Sequence, residues 1–233
     1  LKNVYQDIIK HVELLPGDVF LDIGANDGTL LKFVDAKDVI KVGCEPANNL
    51  IEPLKKHCDV VIHDFWSLDA YTKKVGHKKA KAVSAIGMFY DLDDPMSFVK
   101  DIKSVLDDDG IFIAQLMTLD PMIKKNDLGN LCHEHIEHYS YQSLKYLFEK
   151  SGLEIYEVTE NDVNGGSYRI FARHYQSGSI HYKENASSQD LLIFKNRIDA
   201  IKDETLQFIK SETSKGKTIH AYGASTKGNV ILQ

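Results

Sequence analysis

Residues 19–31 read Val-Phe-Leu-Asp-Ile-Gly-Ala-Asn-Asp-Gly-Thr-Leu-Leu, a short apolar run that breaks into an acidic turn between two glycines. A run this short and this apolar suits a buried strand. Gly24 and Gly28 free the backbone for a sharp reversal and for close approach of a ligand. Upstream, Val4, Ile8, Val12 and Leu15 recur at helical spacing until Pro16-Gly17 stops them. Downstream, the pattern predicts helices over 29–35, 48–57, 68–74 and 95–106, and strands over 40–44, 60–63, 82–86 and 110–116. Apolar strands that alternate with amphipathic helices imply an α/β fold: a doubly wound, mostly parallel sheet covered on both faces.

After residue 117 the rhythm breaks. Residues 118–139 are polar and aperiodic; a helix follows over 140–151, stopped by Gly152. Strands are predicted over 153–159 and 167–174, as an antiparallel pair at the sheet edge. Leu191, Phe194, Ile198, Ile201, Thr205 and Phe208 mark one long helix, and 218–222 reads as a new strand before a further helix start. The expected division is a core domain over 1–186, then a connector helix and the start of an incomplete second α/β unit over 187–233.

Composition narrows the functions. The net charge is −6 over 233 residues, and the basic clusters Lys73-Lys74 and Lys78-Lys79-Ala80-Lys81 are short. Phosphate-bound nucleic acid wants a basic surplus, so it is disfavoured as a partner. No apolar run approaches the roughly 20 residues of a membrane span, and no signal peptide is expected. Three widely spaced cysteines, Cys44, Cys58 and Cys132, suit a reducing cytoplasm and no cysteine zinc site.

The turn at 22–28 lacks the G-x-G-x-x-G spacing that seats a pyrophosphate, which weakens a nicotinamide cofactor. Acids at a strand end repel phosphate and suit a ligand carrying an ammonium and a sulfonium. Glu45, at the end of the next strand, stands where a carboxylate accepts hydrogen bonds from ribose hydroxyls. Asp64-Phe65, after the third strand, offers an acid and an aromatic face to an adenine. Taken singly, Asp22 and Asp27 read as turn residues, Glu45 as an exposed acid and Phe65 as core. Their order on successive strand ends favours a site.

The segment 22–31 resembles motif I of the class I, Rossmann-like methyltransferases, and in particular the sugar-nucleotide C-methyltransferases. The resemblance continues through Gly43-Cys44-Glu45-Pro46, Ile86-Gly87-Met88-Phe89-Tyr90-Asp91-Leu92, Cys132-His133-Glu134-His135, Asn164-Gly165-Gly166-Ser167 with Arg169, and Tyr222-Gly223-Ala224-Ser225-Thr226-Lys227-Gly228-Asn229. It implies S-adenosyl-L-methionine as cofactor, bound by Asp22, Gly24, Ala25, Asn26, Glu45, Pro46, Asp64, Phe65, Gly87 and Met88. It implies a small-molecule acceptor, a nucleotide-linked keto sugar, met by His133, Tyr139, Asn164, Gly165, Gly166 and Arg169; Asn164, Gly165 and Gly166 read equally as the plain hairpin between two strands. The family usually carries a four-cysteine zinc module before the core and a full α/β domain after it. The first is expected to be absent here and the second cut short.

His133-Glu134-His135-Ile136-Glu137-His138 packs three imidazoles and two carboxylates into six residues. The helical zinc motif needs a second His four residues after His133, where Glu137 stands, so no metal is expected. A polar surface loop before a Ser140-capped helix is the plain alternative. Methylating carbon requires removal of a proton beside a ketone, and His is the side chain whose pKa suits that task. By resemblance His135 is the base and Glu134 its orienting carboxylate. Tyr90, after the fourth strand, is either a donor to the keto oxygen or core. A small-molecule O- or N-methyltransferase, or an NAD-binding sugar-modifying enzyme, remains open on these residues.

Overall fold

The computed structural model describes residues 1–184, 187–223, 228 and 230. Its strands are β1 (Val19–Ile23), β2 (Ile40–Cys44), β3 (Val60–Ile62), β4 (Ala80–Ile86), β5 (Leu106–Met117), β6 (Leu153–Asn161) and β7 (Ser167–His174). They form one sheet in the order β3-β2-β1-β4-β5-β7-β6. The first five run parallel, with Leu21 opposite both Val42 and Val83. β7 inserts antiparallel between β5 and β6, pairing Arg169 with Gln115 and Thr159. This is the doubly wound sheet expected, with the antiparallel pair at its edge.

The period of the strands divides the core. Val19, Leu21 and Ile23 face one layer, with Phe98, Val99 and Ile102 of α4 (Pro95–Val105) and Leu144 and Phe148 of α6 (Tyr141–Lys150). Phe20 and Phe171 face the other, with Val4, Tyr5 and Ile8 of α1 (Lys2–His11). A fully buried side chain of this size contributes about 1.5–3 kcal/mol, so these two layers supply the main drive for folding. The helix starts are capped as their sequences ask: Asp94 Oδ1 accepts from Ser97 N at 3.0 Å, and Ser140 and Ser143 form a capping box.

Three predicted elements are corrected. The helix expected over 29–35 is a single 3-10 turn, Leu31–Phe33, because Leu30, Leu31 and Val34 are all drawn into the core within one turn. The helix expected over 48–57 shrinks to α2 (Ile51–Leu54), whose end tightens into three-residue hydrogen bonds such as His57 N to Leu54 O. The strand expected over 218–222 is irregular and exposed; a strand needs a neighbour to pair with, and none lies there among the described residues. Residues 224–227 and 229 of the block that follows lie outside the described residues.

The remaining helices are α3 (Leu68–Val75), α5 (Leu119–Lys125), which the aperiodic stretch did not announce, and α7 (Ser188–Ser214). Of the predicted α7 stripe, Phe194 and Ile198 pack on Met122 and Ile123 of α5, while Leu191, Ile201 and Phe208 stay exposed. No helix among the described residues is long and apolar enough to cross a membrane.

Candidate active site

The carboxyl ends of β1 to β4 meet in one cleft, where ligands bind in open α/β sheets. Gly24 (φ 69°) and Asn26 (φ 52°) take the chain through left-handed backbone. That turn brings the Gly24 and Ala25 N–H groups onto the Cys44 carbonyl of β2, at 2.9 and 3.0 Å. Glu45 follows and is 7% exposed. Its Oε2 accepts from Asn26 N at 3.0 Å and its Oε1 from Ala47 N at 2.9 Å. A carboxylate has about four lone-pair sites, so each oxygen retains capacity for a ligand hydroxyl.

The cleft holds about 430 Å³ and is lined by Gly24, Asn26, Glu45, Pro46, Phe65, Trp66, Gly87, Met88, Asp91 and Asp93, among others. A smaller hollow of about 190 Å³ shares Gly24 and Asn26 with it and reaches Asp22 and Ala25. Asp22 is buried and accepts from Ser84 Oγ at 2.7 Å. Burial pushes its carboxyl up to about 7; the Ser84 hydrogen bond opposes that shift and the Glu45 charge adds to it. No Lys or Arg is among the described residues lining either hollow. Acids and an exposed aromatic, without Lys or Arg, fit a ligand that carries an ammonium, a sulfonium, ribose hydroxyls and an adenine. They do not fit a pyrophosphate.

The two residues after β3 meet the cleft in different ways. Phe65 is 77% exposed at the cleft and is not core. Asp64 turns its carboxylate back onto Phe65 N, at 2.8 Å, and its carbonyl accepts from Cys44 Sγ, so it shapes the loop that presents the ring.

The 3-10 turn at Phe89–Asp91 joins this cleft to the His-Glu-His loop. Asp91 lines the cleft, while the Tyr90 carbonyl accepts from Glu137 N at 3.1 Å. The Tyr90 ring lies 4.3 Å from the His135 ring, and its hydroxyl donates to the Gly87 carbonyl at 2.7 Å. Burial pushes that hydroxyl up to about 12, so Tyr90 stays a neutral donor. His135 Nδ1 stands 3.0 Å from the Asn130 carbonyl. A carbonyl only accepts, so Nδ1 carries the proton, and in the neutral ring the basic lone pair is on Nε2. His138 Nε2 meets the same carbonyl at 3.2 Å.

Other expectations are revised. The group that sets the His135 tautomer is a backbone carbonyl. Glu134 lies 3.9 Å from His133, whose side chain is 85% exposed. Burial first, then the Glu134 charge, raises Asp91 to about 6. Arg169 does not reach this loop. It alternates along β7 with Tyr168 and Ile170, so it faces α1 on the other side of the sheet. There it bonds Gln115 Oε1 (2.9 and 2.7 Å), Asn3 and Asp7. Asn164, Gly165 and Gly166 hold φ of 54°, 89° and 135°. A Cβ on Gly165 would overlap Asp127, and one on Gly166 would overlap Pro121. The glycines thus let this turn press against the α5 region. Tyr139 is buried against Phe89, with ring centroids 5.5 Å apart.

Asp91, Asp93 and Trp66 line the cleft without having been singled out from the sequence. Asp91 had a signal, since it follows Tyr90 beyond a strand end; the Asn130 carbonyl had none, being backbone. No three His, Cys, Asp or Glu side chains converge on a metal position among the described residues. A hollow of about 450 Å³ lined by Ile9, His11, Leu14 and Ala36 lies where strands begin, the edge opposite to these groups.

A family model described as a methyltransferase domain matches residues 2–158, and one described as a C-methyltransferase C-terminal domain matches 162–233. The chain is 26% identical over 242 residues to C-methyltransferase NovU of Streptomyces niveus, covering 96% of this chain and 56% of that protein. It thus spans little more than half the length of that relative. The magnesium protoporphyrin IX methyltransferase ChlM from Synechocystis PCC 6803, with bound SAH, superposes with TM-score 0.57 at 11% identity, covering 75% of this chain and 82% of that one. The 1,6-didemethyltoxoflavin-N1-methyltransferase of Burkholderia thailandensis superposes with TM-score 0.55 at 12% identity, covering 75% and 76%. At these identities the likeness is one of fold.

Proposed function

The chain belongs to the methyltransferase-domain family, and on that premise we propose that it methylates carbon beside the ketone of a nucleotide-linked 4-keto deoxysugar, using S-adenosyl-L-methionine. The cofactor supplies an electrophilic methyl on a sulfonium. Gly24, Asn26, Glu45, Pro46, Phe65, Gly87 and Met88 would hold it, with Glu45 on the ribose hydroxyls and Phe65 on the adenine face. Asp22 and Asp91 bring two carboxyl groups to the same region, both with ionisation pushed up by burial, to about 7 and about 6. The free thiols Cys44, Cys58 and Cys132 support a reducing, cytoplasmic setting.

The observation that carries the reading is the His135 tautomer. With Nδ1–H on the Asn130 carbonyl, Nε2 accepts the proton beside the ketone and the resulting imidazolium keeps its hydrogen bond. The Tyr90 ring fixes the imidazole beside the turn that lines the cofactor cleft. Tyr90 would stabilise the enolate oxygen only by giving up its bond to Gly87, so its first role is positioning. The name of the Streptomyces relative and the C-terminal family match support carbon as the methylated atom.

Incubation of the full-length protein with a nucleoside-diphosphate 4-keto-6-deoxyhexose and S-adenosylhomocysteine in D2O should place deuterium at the carbon beside the ketone. With S-adenosylmethionine the new methyl should appear on that carbon by NMR. A methyl on oxygen or nitrogen would refute the carbon-acid reading in favour of an O- or N-methyltransferase.

A further inference from the structure

Thr118, Asn130 and Tyr139 are 2%, 4% and 6% exposed, and each carries a buried side-chain oxygen with no hydrogen-bond partner in the structure. An unpaired buried hydroxyl or amide costs free energy, and folded proteins keep few of them. Asn126 Oδ1, on a less buried residue, is unpaired in the same segment between β5 and α6, and such groups mark a place where a partner belongs.

Their surroundings place that partner beside the candidate base. Thr118 is the first residue beyond the carboxyl end of β5, next to β4, whose Ile86 pairs with Gln115. Leu119 N donates to the Tyr139 carbonyl at 2.9 Å, which ties Thr118 to Tyr139. The Tyr139 ring packs on Phe89. Asn130, through its own carbonyl, holds both His135 and His138. Tyr139 through Phe89, and Asn130 through His135 and Tyr90, are thus linked to the turn at 89–91, whose Asp91 lines the cofactor cleft. The unsatisfied groups are two hydroxyls, which donate and accept, and an amide oxygen, which accepts. Their complement is a ligand bearing hydroxyls, with no requirement for charge.

We propose that Thr118, Asn130 and Tyr139 form a subsite that holds the hydroxyl groups of the acceptor and so sets its carbon acid before His135. The inference rests on the keto-sugar reading above and adds the residues that select for a hydroxylated ring. Because the three oxygens are enclosed in this conformation, the 126–139 loop parts to admit the acceptor and closes on it. A site built to pair hydroxyls rejects analogues that lack them, since its own groups are then left unpaired.

The isosteres Thr118→Val and Tyr139→Phe test this on the full-length protein with a nucleoside-diphosphate 4-keto-6-deoxyhexose. Each is expected to raise the acceptor KM about five- to tenfold, the effect of one lost neutral hydrogen bond. S-adenosylhomocysteine affinity should be unchanged. The melting temperature of the free protein should hold or rise, because an unpaired buried hydroxyl is removed. An unchanged acceptor KM overturns the proposal, and a lowered melting temperature beside it would show that the hydroxyl serves the fold, through protein or buried water. A fall in cofactor affinity equal to the rise in KM also overturns it, as general loosening. A wild type that binds S-adenosylhomocysteine but methylates no hydroxylated ketone defeats the function reading first, and the subsite with it, before any variant is made.

Discussion

Glu45 and Thr118 each follow the last residue of a parallel strand, and each is buried, yet their polar groups are treated differently. Both oxygens of Glu45 are already tied to backbone N–H groups, while the Thr118 hydroxyl has no partner. The same contrast runs through the two halves of the sheet edge. On the β1 to β3 side, tight turns at strand ends preorganise a cleft whose hydrogen bonds are made before any ligand arrives. On the β5 to β7 side, a loop and a short helix surround the proposed base, and enclosed polar groups there have no partner. A ligand site built on strand ends costs little to hold ready, whereas one built on loops is completed by what it binds.

The contrast breaks most severely at His135. His135→Ala should lower turnover about 10²–10⁴-fold, the usual worth of a general base, while leaving S-adenosylhomocysteine affinity intact. Steady-state rates with cofactor titration would check this. Methylation at the wild-type rate would remove His135 as base and turn attention to His138, which shares its carbonyl.

Next in size is a pH effect on the cofactor side. Asp22 in the folded chain holds its proton up to about pH 7, whereas in the unfolded chain it is released at the ordinary carboxylate value of 3.8. Stability therefore falls as pH rises between those two values, and the full penalty is present above pH 7. At 1.36 kcal/mol per unit the upper bound is about 4 kcal/mol. Asp22→Asn escapes the penalty, so it should be the more stable protein at pH 8, with the gap closing toward pH 4. Denaturant melts across that range would show parallel curves if Asp22 is ionised in the fold.

Glu45→Ala should weaken S-adenosylhomocysteine binding by about 1.5–3 kcal/mol, because ribose hydroxyls lose a charged acceptor. It also strands the N–H groups of Asn26 and Ala47, so the melting temperature should fall as well. Calorimetry that finds unaltered affinity would take Glu45 out of the site. Glu45→Gln, which keeps one acceptor oxygen, should lie between.

The smallest effect tests the hairpin. Gly166→Ala places a Cβ against Pro121 at a φ of 135°, and should cost about 1–3 kcal/mol of stability. Cofactor affinity should not move. A neutral substitution would show that the α5 contact yields and that the glycine is kept for some other reason.

The first half of the sheet was legible because apolar runs of strand length, punctuated by glycine, record burial on both faces directly. The ordered acids Asp22 and Glu45 were legible because successive parallel strands bring their ends to one edge whatever the details between. Arg169 shows the limit: its sequence neighbourhood pointed to the acceptor, but strand alternation turns it toward α1 and Asp7. Asn164, Gly165 and Gly166 announced a turn, while the packing on Asp127 and Pro121 shows why a Cβ is crowded at Gly165 and Gly166. The tautomer of His135 lay wholly outside the sequence, because a backbone carbonyl decides it and every residue carries one. Local pattern by itself determined the strands, the cleft and the residue types for the chemistry. The tertiary structure decided which polar groups are paired within the fold and which are left unpaired, since that depends on distances between segments far apart in the chain.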